Sequence, residues 1–104
     1  MSKTEAHWNG KVIAASDHCI NVEGNAYFPP QDLVQEFFKS STTTSVCSWK
    51  GDCNYFDVMV DGKTNVNAAW VYNAPKAAAA SIKGYVAFWK GVDLKGGEHA
   101  TTMV

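Results

Sequence analysis

Cys47-Ser48-Trp49-Lys50-Gly51-Asp52-Cys53 puts two thiols, an indole and an ammonium into one short stretch. Zinc knuckles space their cysteines as C-x2-4-C and usually come as two such pairs. Cys47 and Cys53 lie further apart, and the remaining cysteine, Cys19, is distant. No metal and no cofactor is expected. A dithiol redox site wants C-x-x-C on one helical turn, and this spacing does not supply it. Three cysteines, an odd number, do not make a disulfide framework. A single reactive thiol is the chemistry left to the cysteines. The Lys50 ammonium favours the thiolate of Cys47, which is the nucleophilic form. Its base would be a histidine brought in by the fold, with His18 as the candidate. The plainer alternative is a packing thiol at Cys47 and a snorkelling chain at Lys50.

The aromatic residues carry the stronger site signal. The chain has four Trp, four Tyr and five Phe, and Trp49, Trp70, Tyr72, Tyr85 and Trp89 concentrate between residues 49 and 89. Most must be core, yet indole and phenol rings with polar handles also line ligand pockets. Glu23 and Tyr27 flank another strand end, where their polar groups would face such a pocket. Glu23 beside Lys50 would be a paired charge or a general acid-base couple. The candidate catalytic residues are therefore Glu23, Cys47 and Lys50. The candidate ligand-binding residues are Tyr27, Trp49, Trp70 and Tyr72.

These side chains must be positioned by short elements. Asn9-Gly10 signals a turn, followed by a strand over 11–16. A second strand over 19–23 would pair with it across Asp17-His18. Pro29-Pro30 opens the best helix signal. Asp32 lies near its N-terminus, Leu33, Val34, Phe37 and Phe38 fall on one face, and Lys39 stands near its end. The run 40–45, all Ser and Thr, reads as a polar loop. Strands over 52–60 and 64–72 flank Asp61-Gly62. A three-residue loop is favoured there because it sets Phe56 and Val58 beside Val66 and Ala68. That register puts Asn54 and Trp70 on the core side, with Cys53, Tyr55, Asp57 and Met59 opposite. Pro75 to Gly84 reads as a short Ala-rich helix. In the last strand, 85–89, Tyr85, Ala87 and Trp89 share one face, and the following KGVDL would extend it. The fold class expected is mostly β with minor helix: one small domain over 1–104, its core at about 7–94, built of two antiparallel sheets. Residues 95–104 read as a flexible tail.

Composition narrows the partners. Net charge is −1, and all nine basic residues are lysine. Arginine is the preferred bidentate reader of phosphate and guanine, so its absence argues against nucleic acid. No apolar run is long enough for a transmembrane helix, and the N-terminus lacks the apolar core of a secretion signal. The chain is expected to be cytoplasmic, a monomer or homodimer, with no membrane partner.

VEGNAYFPPQDL, TSVCSWKGDCNYFDVMVDGK and NAAWVYNAPKAAAASIKGYVAFWKGV, with the opening WNGKVIAAS, resemble the family known as domain of unknown function 427. The resemblance spans roughly residues 7–94. It implies a β-tent-like arrangement, an architecture shared with methionine sulfoxide reductase B and the drug-binding domain of cereblon. Those relatives hold zinc through two C-x-x-C pairs that this chain lacks. The family carries a nucleotidyltransferase label, but this sequence has no G-[GS] phosphate loop with paired aspartates, and that activity is not carried over. Where the family usually reads CPWKG, Ser48 replaces the proline, which implies a looser bend. Glu23, Tyr27, Cys47, Trp49, Lys50, Gly51, Trp70 and Tyr72 match its motif positions.

The function expected is a domain that binds a small apolar or heteroaromatic molecule in an aromatic-lined pocket between sheets. One alternative is a small enzyme using Glu23 and Lys50 as acid and base, or Cys47 as nucleophile. Another is a homo-oligomeric module pairing through edge strands.

Overall fold

Two-residue turns set the frame. Asn9-Gly10, Glu23-Gly24 and Asp61-Gly62 all take left-handed φ, between 50° and 82°. Two consecutive left-handed residues make a type I′ turn, whose twist matches that of a hairpin. Three hairpins result: β1 (Thr4–Trp8) with β2 (Lys11–Ser16), β3 (Ile20–Val22) with β4 (Asn25–Tyr27), and β6 (Gly51–Val60) with β7 (Lys63–Val71). The remaining strands are β5 (Phe38–Cys47), β8 (Val86–Phe88) and β9 (Asp93–Lys95). A computed structural model describes residues 3–96. His99 and most of the expected tail lie outside the described residues. At their edge, Lys95 still belongs to β9.

The class is mostly β, as expected, but among the described residues the sheets number three and not two. They are β2-β1-β9, β3-β4 and β5-β6-β7-β8, all antiparallel. The 3–5 end of the described chain is already structured, since β1 starts at Thr4. β2 pairs with β1 and β3 with β4, so the expected pairing across Asp17-His18 is absent. The KGVDL segment does not extend β8. It turns back as β9 and pairs with β1.

Each face of the four-stranded sheet buries a different cluster. One face carries Val58, Val60, Ala69, Val71, Val86 and Phe88 and meets Ala6, Ile13 and Ala14 of the three-stranded sheet. Phe28 closes this core: it is fully buried, its ring lies 5.4 Å from Phe88, and its backbone N–H and C=O both bond Val86. The other face carries Cys53, Trp70, Tyr72 and Ala87, covered by Val22 and Tyr27 and by Ala79 and Ile82. The candidate site is on this second face.

The favoured three-residue loop is incorrect. Val60 pairs with Lys63 across a two-residue turn, because aspartate tolerates the left-handed φ that a type I′ turn demands. The ladder then shifts between Phe56 and Val58. Asn67 takes φ +57°, and its N–H is capped by Asp57 Oδ1 at 2.9 Å. Val66, counted on as core, is left 56% exposed. The consequence for the site is large. Trp70 pairs directly with Tyr55, while Phe56 pairs with Ala69 and Asn54 with Val71. Cys53 and Tyr55 therefore share Trp70's face instead of opposing it.

Residues 30–39 do not form the expected helix. Two 3-10 turns, Pro30–Asp32 and Gln35–Phe37, are separated by extended Leu33 and Val34. Leu33 bridges Ala14, and the Val34 N–H donates to Ile13 O at 2.9 Å. A two-turn helix gains too little from propagation to compete with such pairing. The expected 40–45 loop is the middle of β5, where β-branched threonines suit a half-exposed edge. The alanine-rich segment forms a 3-10 element, Ala77–Ile82, with a kink at Ala79.

Candidate functional site

β5 and β6 are joined by a bend through Ser48, Trp49 and Lys50. Gly51, at φ +109°, lets the chain turn with its backbone against Lys76; a Cβ there would sit 3.4 Å from the Lys76 nitrogen. Lys76 ties the bend down twice. Its N–H donates to Lys50 O at 2.9 Å, and its Nζ donates to Ser48 O at 2.7 Å. Serine in place of proline therefore does not leave the bend loose, because a neighbouring segment supplies the constraint.

The bend brings Lys50 to Glu23, which lies at the tip of the β3–β4 hairpin. The Lys50 ammonium donates to Glu23 Oε1, and Trp49 Nε1 donates to Oε2 at 3.2 Å. Lys50 is 6% exposed and Nζ lies over two ring faces, 4.8 Å from the Trp49 centroid and 5.6 Å from that of Tyr72. Cation–π contact of this kind offsets part of the desolvation of a buried ammonium. The hydrogen bond from Lys50 holds the Glu23 carboxyl below its ordinary range. Burial is the largest influence and works to lower the Lys50 value, but the bond to Glu23 together with the charges of Tyr27, Cys47 and Glu23 outweighs it, and the net direction is upward.

An open cleft of about 160 Å³ adjoins this pair, walled by Tyr27, Lys50, Tyr55, Trp70, Tyr72 and Trp89. Trp70 organises it. Its Nε1–H donates to the Tyr27 hydroxyl at 3.1 Å, and its ring meets Tyr27 and Trp89 edge to face at 6.2 and 5.7 Å. Tyr55 stacks on Trp89 at 6.5 Å, and Trp89 is 46% exposed at the rim. Burial pushes the Tyr72 phenol far up, so it stays protonated. Trp49 lines a separate depression of about 270 Å³ with Ile20, Val22 and Ile82.

The structure thus assembles Glu23, Tyr27, Lys50, Trp70 and Tyr72, with Trp49 bridging to a second hollow. Tyr55 and Trp89 were missed as site residues, and Cys53 and Asn25 also line the cleft. The signal for Tyr55 and Cys53 lay in Asp61-Gly62 read as a two-residue turn, and Trp89 already shared the correct face of its strand.

Cys47 is part-buried beside the pair. Burial raises its thiol, but backbone N–H groups of Lys50 and Trp49 directed at the sulfur bring it below the ordinary value. Neither the candidate base His18 nor the other described histidine, His7, bonds to it. His18 pairs with Asp17 at 3.1 Å and His7 with Glu5 at 2.8 Å. Cys19 behaves oppositely: burial, aided by the nearby Asp32 charge, pushes its thiol up to about 11. With iodoacetamide near pH 8, Cys47 is expected to label first and Cys19 much more slowly, read by mass spectrometry of peptides. Equal rates at the two would contradict this electrostatic reading. Among the described residues no group of three His, Cys, Asp or Glu is placed to hold a metal ion, and no helix is long and apolar enough to cross a membrane.

A family described as Domain of unknown function (DUF427) matches residues 2–96. No curated protein gives a significant match to the chain.

Proposed function

The chain belongs to the family of domain of unknown function 427, and from that premise we propose that it is a small-molecule-binding domain whose ligand sits in the aromatic cleft. The observation that carries this reading is the convergence of five aromatic side chains and one buried ammonium on a single open hollow. Sites for small organic molecules combine apolar walls with a few placed polar groups in this way. The ligand is a single-ring compound held against Trp70 and Trp89 and oriented by Lys50, which Glu23 keeps in place. The separate hollow beside Trp49 takes no part.

The titration directions favour binding over acid-base catalysis. A proton-transfer couple works best with values near neutrality. Here Glu23 moves down and Lys50 moves up, so both stay charged at pH 7 and act as a fixed pair. The three free thiols support a reducing, cytoplasmic setting.

A thermal-shift screen tests the proposal. Monocyclic aromatic compounds should raise the melting temperature, since a ligand that binds only the folded state stabilises it by mass action. Aliphatic compounds of equal size should not. Trp70→Leu should remove the response. If ring compounds leave the wild type unmoved, or if Trp70→Leu responds equally, the cleft is not the binding site.

A further inference from the structure

The inventory of hydrogen-bonding groups around the cleft is one-sided, and it narrows the ligand further. Its indole donors are already used. Trp70 Nε1–H goes to Tyr27, and Trp89 Nε1–H goes to Asn67 O at 2.6 Å. The Tyr27 phenol is not. The Tyr27 oxygen accepts from Trp70, which leaves its own proton to donate, and that proton has no acceptor among the described residues. Tyr27 is 1% exposed. The Tyr72 phenol stays protonated, but its hydroxyl is engaged with the Cys53 side chain, which leaves Tyr27 as the phenol with a donor to spare. Lys50 carries three N–H donors. One is on Glu23, and no second oxygen lies within hydrogen-bonding reach of Nζ among the described residues.

Against these donors the walls offer little that accepts. Among the described residues no aspartate or glutamate lines the cleft, and Lys50 is the one charged wall residue. Glu23 touches Lys50 from outside the cleft, where it is 42% exposed. Asn25 contributes an amide that can act either way. A buried donor left without an acceptor is costly, and a charged acceptor answers an ammonium better than a neutral one. The edge-to-face pairs of Trp70 with Tyr27 and with Trp89 present flat surfaces that suit a planar ring.

We propose that the cleft selects a planar aromatic carboxylate, its ring against Trp70 and Trp89 and its carboxylate on the Lys50 ammonium and the Tyr27 hydroxyl. This rests on the binding function proposed above and adds the sign of the ligand's charge. Glu23 already occupies one donor of Lys50 and opposes a second anion. The selectivity expected is therefore about tenfold rather than several hundredfold.

Sodium benzoate, benzyl alcohol and benzylammonium chloride test it, with dissociation constants taken at pH 7 from ligand-observed NMR titrations. Benzoate should bind at least tenfold more tightly than benzyl alcohol, and benzylammonium more weakly than either. Lys50→Met should weaken benzoate far more than benzyl alcohol, so that the two bind alike in the variant. Tyr27→Phe, which keeps the ring, should weaken benzoate at least threefold. It remains informative should Lys50→Met not fold. Equal affinity for benzoate and benzyl alcohol in the wild type overturns the charge selectivity but leaves the aromatic cleft as a binding site. Failure of all three compounds to bind overturns both. Benzoate affinity unchanged in Lys50→Met and Tyr27→Phe overturns the assignment of those two groups.

Discussion

Phe28→Ala is expected to cost about 3–5 kcal/mol of folding stability, the range for deleting a fully buried aromatic ring. The ring is fully buried and meets Phe88 edge to face, at 5.4 Å and 74°. Its backbone also bonds Val86 in both directions, at 2.7 and 2.9 Å, which fastens the segment after β4 to the open edge of β8. An alanine keeps those backbone bonds, so the loss reports the ring and the cavity it leaves. For a domain near this size, each kcal/mol moves the midpoint by roughly 4–8 °C. The melting temperature should therefore fall by at least about 12 °C. The cleft should suffer with the core, because Tyr27 precedes Phe28 and reaches Trp70 from the opposite side of the same strand end. A loss below about 1.5 kcal/mol in urea titrations would be too small for a buried ring and would mean that this core is not the one described.

The second large effect is at Lys50, where the sign of the charge matters more than its presence. Lys50→Glu sets a carboxylate against Glu23 and over the negative faces of Trp49 and Tyr72. Breaking a buried pair typically costs about 3–5 kcal/mol. Glu23 is 42% exposed and so partly solvated, which puts the expected loss near the bottom of that range, about 3 kcal/mol. Lys50→Met keeps the apolar stem and removes the desolvated charge. Glu23 is then left to water, and stability should stay within about 1 kcal/mol of wild type. The pH dependence has a definite direction. Glu23 has its carboxyl lowered by the bond from Lys50. Whatever the pair contributes is therefore present above the unfolded carboxyl value, about 4.3, and is lost as pH falls through the lower folded value. Wild type and Lys50→Met should converge in that acid window. Equal stability of Lys50→Glu and Lys50→Met at pH 7 would show that the ammonium is not buried against Glu23.

Some of this arrangement was legible in the residues. The Cys47–Gly51 bend and the face shared by Tyr85, Ala87 and Trp89 follow from residue type and period-two alternation, whereas the partnership of Glu23 with Lys50 was an expectation from their chemistry that only the fold could bring together. The register of β6 and β7 did not follow, because two readings of Asp61-Gly62 compete. Apolar continuity favours Val66 opposite Phe56 or Val58, whereas turn chemistry favours two left-handed residues. Turn chemistry prevails locally, and the ladder then recovers its apolar partners through the shift around Asp57 and Asn67. That compensation is a tertiary event with no marker in either strand alone. The 30–39 segment misleads for a related reason. Its spacing is helical, yet Leu33 and Val34 gain more by pairing with β2. There are three sheets and not two among the described residues because β3 folds back on β4 instead of pairing with β2, while β9 joins β1.

The indole N–H resonances of the four tryptophans test the binding cleft most directly. In a nitrogen-15 correlation spectrum titrated with benzoate, Trp70 and Trp89 Nε1–H should shift along one saturable curve, while Trp8, packed in the opposite core, stays fixed. A shift of Trp8 alone, or saturable binding that moves neither Trp70 nor Trp89, would contradict a ligand site on this face of the sheet.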